Sequence, residues 1–110
     1  MTEIEQTIIE IKDDIMNISD KLICDKWIES KTEIYTIIDK LKVIFQHVMN
    51  NSFDSNNEEM AKLKNDWLMV MDSTLKSIQM QDAVQLEDLF SYDIIQLLNK
   101  SMEMAGTEKE

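Results

Sequence analysis

Ile4, Ile8, Ile11, Ile15, Ile18 and Leu22 recur at alternating four- and three-residue steps without a miss. A strand turns its apolar side chains inward every second residue, whereas this spacing stacks six of them along one side of a helix. The seam spans nearly three heptads, and Ile9, Met16 and Ile23 repeat beside it at seven-residue intervals. A strict seam belongs to a coiled coil; the widened one predicts a bundle helix that touches two neighbours. Such a helix is not stable alone in water, so the remainder of the chain has to cover it.

The rest of the sequence offers three further stretches of the same kind. Ile34, Ile38, Leu41, Phe45 and Val48, flanked by Ile37 and Ile44, form the second. Met60, Leu63, Trp67, Leu68, Met71, Leu75 and Ile78 form the third; Leu86, Leu89, Phe90, Asp93/Ile94, Leu97 and Leu98 form the fourth. Proline is absent and glycine occurs once, at Gly106, so the turn residues a strand-rich domain requires are missing. The fold class predicted is all-α, a four-helix antiparallel (up-down) bundle with helices at about 3–24, 26–49, 57–80 and 82–104. Residues 1–104 make a single domain and 105–110 a polar C-terminal tail.

Capping-box spacing marks the helix starts: Thr2 with Glu5, Ser55 with Glu58, and Asp82 with Gln85. Between the first two helices there is no glycine or proline. The break is placed at Cys24–Lys26, where the seam ends and Asp25 is available as a cap. Ser30 with Glu33 is a second match, which would start the helix at 31 and leave Trp27 and Ile28 in a packed connection. One unbroken helix over 3–49 would be about 70 Å long, too long for a compact domain of this size. Asn50–Asn57 is the plain loop, with Phe53 folding back onto the bundle end.

The balance of 22 acids against 11 basic residues gives a net charge of −11, and every basic residue is lysine. A phosphate backbone or anionic membrane surface is repelled by that charge, and arginine–base pairing is unavailable. Neither nucleic acid nor membrane is expected as a partner. Residues 1–24 carry six acids against two lysines and residues 82–110 seven against two, while the middle is nearly balanced. If helices 1 and 4 lie side by side, their acids combine into one negative face. No segment has signal-peptide architecture or membrane-spanning length, so a cytoplasmic protein is expected.

Asp82–Leu98, DAVQLEDLFSYDIIQLL, resembles the closing segment of a small, uncharacterised, mainly Gram-positive bacterial helical domain family of unknown function. That pattern reads as a polar turn with an acid, Leu-x-Asp-Leu-Leu, an acid–Tyr–acid step and a leucine-rich end. Leu86, Asp88, Leu89, Tyr92, Asp93, Leu97 and Leu98 fit it; Phe90 replaces a leucine, Ser91 an acid and Gln96 a proline. The resemblance covers about 17 residues, implies a helical bundle and brings no activity.

Reactive constellations are sparse. His47 has Ile44 three positions before it, so no Glu-x-x-His motif of a di-iron bundle exists; its place near a helix C-terminus suits the dipole. Cys24, flanked by Leu22 and Ile23, is read as a buried small apolar residue, and a lone cysteine excludes an intrachain disulfide. No cofactor is expected. Glu10, Asp13 and Asp14, or Glu58, Glu59 and Asp66, are the acids a Mg²⁺-dependent nucleotide-processing bundle enzyme would draw on, and that is the alternative reading.

The leading expectation is a non-enzymatic protein-interaction module, chaperone- or adaptor-like, whose partner is a helical protein or a second copy. Trp67-Leu68-Met69-Val70-Met71 sweeps more than a full turn, so it either sits centrally among several helices or leaves part of itself exposed. Trp67, Met69, Val70 and Met71 are the apolar candidates for partner binding. Asp88 and Tyr92, four apart on one side of the last helix, are the polar ones, through a partner's lysine; their structural reading is a buried or half-buried hydrogen bond that fixes a helix junction.

Overall fold

The computed structural model describes residues 3–24, 26–50 and 58–108. Within them the chain is all-α, with no strand. Helix α1 spans Glu3–Ile23, α2 spans Trp27–Asn50 and α3 spans Glu58–Gln79. The last rod is continuous but not uniform: α4 (Ala83–Asp88) passes through a π-helical turn (Leu89–Ile94) into α5 (Ile95–Glu108). It runs beyond the expected end near 104, because Gly106 costs a helix only about 1 kcal/mol and nothing else in Ala105–Glu108 breaks one.

The heptad seam is the core of α1: Ile8, Ile11, Ile15, Ile18 and Leu22 are buried. They meet Ile34, Ile37, Ile38, Leu41, Ile44 and Val48 of α2, and Leu86, Phe90, Ile94, Leu97 and Leu98 of the last rod. Helix α1 packs on α2 on one side and on α4 and α5 on the other, and α3 lies between the last rod and α2. Contact between α2 and α3 is the sparsest of these. Two of the three widening residues do not follow the seam inward, while Ile9 is half-buried. Met16 and Ile23 are exposed, because α1's two flanks are already occupied and these positions fall on its solvent side.

Helices end here without proline and, at these junctions, without glycine. At the end of α1 the Lys26 N–H reaches back to the Lys21 carbonyl at 2.9 Å. At the end of α3 the Asp82 N–H bonds the Ser77 carbonyl (2.9 Å) and the Gln81 N–H that of Ile78 (3.1 Å). This is the paired closure that normally places glycine in the left-handed position; Gln81 takes it instead, with φ 53°. Asp82 then caps α4, its carboxylate accepting the Gln85 N–H at 3.1 Å, as the spacing predicts.

The break between α1 and α2 falls where the seam ends. Ser30 is not a cap: it lies inside α2, buried, and its hydroxyl donates to the Lys26 carbonyl at 2.8 Å. The alternative start at 31 is thereby corrected. The Thr2, Asp25 and Ser55 caps, the loop over 51–57 and Phe53 lie outside the described residues.

Candidate functional site

The five-residue apolar run on α3 divides by helix geometry. Trp67 is 0% exposed; its indole Nε1–H donates to the Ser101 hydroxyl at 3.1 Å, and its ring meets the edge of Phe45 at 6.3 Å and 65°. Met71 is buried one turn further on, and Val70 is half-buried against the core. Leu68 and Met69 point outward, 53% and 62% exposed. Trp67 and Met71 therefore offer no surface to a partner. They are core, because they share the inward stripe with Met60 and Leu63. Of the apolar candidates, Met69 and part of Val70 are accessible.

These two residues line an open groove of about 280 Å³ between α3 and α5, with Leu97 in it and Asp66, Asp93 and Lys100 at its edges. Leu68 and Leu75, seven apart, occupy the opposite flank of α3, the one towards α2. Leu75 is exposed and not in the core stripe; Thr74 and Ser77 are buried in its place. Their hydroxyls donate to the Val70 and Ser73 carbonyls at 2.7 and 3.0 Å, so no polar group is stranded.

On α2, Glu33 and Lys40 reach across to α1, pairing with Lys21 and Asp14 at 2.7 Å each. The hydrogen bond from Lys40 to Asp14 holds the lysine above its ordinary pKa against the opposing effect of burial, with the charges of Asp14 and Glu10 adding to the rise. Tyr35 and Ile28, also seven apart, lie on the other flank of α2, towards α3. Both are exposed, Ile28 to 87%. Ile28, Tyr35, Leu68 and Leu75 are thus exposed apolar side chains on the flanks of α2 and α3 away from α1 and α5, and Ile28 also lines an open hollow with Trp27 and Gln81. Of this set, Ile28 and Tyr35 belong to no core stripe and carry no signal in the sequence, whereas Leu68 and Leu75 fall in the stripe expected for the third helix, and Leu68 also in the run expected to be partly exposed.

Asp88 and Tyr92 are both exposed, Tyr92 to 65%, and not the half-buried pair expected. The π turn commits Leu89, Phe90 and Ile94 to the core, and Tyr92 and Asp93 between them are left outside. The buried-side polar contact is made by Glu87, which no motif marked. Its carboxylate accepts from Ser19 of α1 (2.8 Å) and from Ser91 (2.6 Å), tying the start of the π turn to the first helix. Lys12 and Asn99 join the same two rods further along. The only advance signal was the four-residue step between Glu87 and Ser91.

Cys24 is exposed, correcting its expected burial: Leu22 is the last inward residue of α1, and the cysteine lies past it. His47 stands in the last turn of α2, as its position predicts. Among the described residues no three His, Cys, Asp or Glu side chains are grouped to hold a metal ion, and Asp14 is paired with Lys40. No described helix is long and apolar enough to cross a membrane. Comparison with known protein families, with curated proteins and with solved structures found no match to this chain.

Proposed function

We propose that this chain is a non-enzymatic, cytoplasmic interaction module that binds a helical protein partner or itself, built as an up-down antiparallel bundle. Two observations support the arrangement. The pairs Lys21–Glu33 and Asp14–Lys40 step in opposite directions along α1 and α2, and each helix packs mainly on its neighbours in chain order, with the last rod returning to α1. The resemblance of Asp82–Leu98 to a bacterial helical family accords with a bundle and adds no activity.

The observation that carries the functional reading is the set Ile28, Tyr35, Leu68 and Leu75. Large apolar side chains aligned on two adjacent helices are what an amphipathic helix needs from a groove, with anchors repeating at helical spacing. The test is affinity capture with the intact chain and with Leu68→Glu and Leu75→Glu, both at exposed positions that leave the core untouched. Loss of a captured protein, a second copy included, in both variants supports the reading. Capture unchanged by either substitution refutes it, and Mg²⁺-dependent thermal stabilisation by a nucleotide would favour the bundle enzyme instead.

A further inference from the structure

We infer that the face formed by α2 and α3 is a self-association surface, and that its occupant is the same face of a second copy. This rests on the interaction reading above and names its partner. The charge distribution selects it. Of the net −11, residues 26–81, which supply α2 and α3, contribute almost nothing, with seven lysines against eight acids. The excess lies on α1 and the last rod, which pack side by side and expose Glu10, Asp13, Asp20 and Asp88. Two copies meeting through that side would set acid against acid. Meeting through α2 and α3, they turn the acidic sides away from each other. The separation is then at least one 18 Å bundle thickness, beyond the screening length of about 8–10 Å at physiological salt.

The α2–α3 face also carries its own apolar anchors, Ile28, Tyr35, Leu68 and Leu75, beside the exposed Lys31 and Lys42 of α2, while Asp72 of α3 is paired with Lys76 at 2.9 Å on its own helix. A two-fold axis running along the helices, in the commonest symmetry of a homodimer, brings α2 of one copy onto α3 of the other, so that the like-charged Lys31 and Lys42 of the two copies do not face each other. Size permits it. Two parallel rods about 35 Å long and roughly 10 Å apart present on the order of 700 Å² per copy, close to the ~800 Å² of a standard interface.

Sedimentation equilibrium over a concentration series tests this on the full chain. The comparison set is Leu68→Glu, Leu75→Glu and a control, Met16→Glu, which adds the same charge at an exposed site on α1. The expected result is a species of twice 12.9 kDa whose dissociation constant rises at least ~100-fold in the first two variants and changes little in the control. Far-UV circular dichroism identical to the parent's keeps loss of fold out of the reading. A monomer at every concentration overturns the inference, as does a dimer broken by Met16→Glu and insensitive to the other two. A monomer that nevertheless captures another protein in a Leu68-dependent way removes the second copy and leaves the interaction module standing. A monomer whose capture ignores Leu68 and Leu75 removes both.

Discussion

Trp67→Phe measures how much of this core depends on one buried polar contact. The substitution removes the indole N–H that meets the Ser101 hydroxyl at 3.1 Å, along with part of a ring at 0% exposure. Loss of a net hydrogen bond costs about 1 kcal/mol. The space vacated, roughly 40 Å³ at about 24 cal/mol per Å³, adds about 1 kcal/mol. Lost packing against Phe45 brings the expected total to about 2–3 kcal/mol, a large share of the ~5–15 kcal/mol that holds a domain together. Ser101→Ala keeps the ring but strands its N–H, at about 1–3 kcal/mol. The double variant strands neither group, so its cost should fall short of the sum by about 1 kcal/mol. Urea unfolding followed by circular dichroism reads all three. Strict additivity, or a Trp67→Phe cost under ~0.5 kcal/mol, would refute the hydrogen-bonded core described here. Trp67→Ala, at about 3–5 kcal/mol, would report on folding and not on a partner.

Glu87→Ala removes the acceptor of two hydroxyls, and should cost about 1.5–3 kcal/mol, with Ser19→Ala costing about 1 kcal/mol; urea midpoints within error of the parent would show that the contact does not tie α1 to the π turn. Lys40 has its pKa raised in the folded chain by its hydrogen bond to Asp14. The stability from that pair is therefore fully present below the unfolded lysine value of ~10.4 and is lost as pH rises through the folded one. The difference in unfolding free energy between the parent and Lys40→Met should be at most ~1 kcal/mol at pH 7 and should shrink in strongly alkaline solution. A difference that grows with pH contradicts this assignment.

Much of the fold is readable from spacing because burial in a helix is periodic. The seam from Ile8 to Leu22 and its counterpart from Ile34 to Val48 lie where a 3.6-residue repeat places them, and Leu86, Phe90, Ile94, Leu97 and Leu98 are buried as expected, with the π turn keeping their three- and four-residue steps in line. The Asp82 cap is equally local, needing only an acid three residues before an exposed N–H. The break after α1 was inferable from the end of the seam, although its closure by a backbone bond from Lys26 to Lys21 leaves no mark in residue type.

The flanks obey another rule. Met16, Ile23 and Leu75 carry the same kind of side chain as the core and are exposed, whereas Thr74, Ser77 and Ser30 are buried. A hydroxyl that returns its hydrogen bond to the carbonyl four residues back loses its hydration at little cost, so polarity alone does not keep it outside. The candidate surface depends on these flanks. Periodicity determined which stripe of each helix is inward, since that follows from the chain's own geometry. Only the tertiary structure decided the rest: how far apart α2 and α3 stand, which of Trp67 and Leu68 meets solvent, and that Glu87 finds Ser19 across 68 positions of chain. Those outcomes depend on the distance and rotation between separate helices, which no single helix encodes.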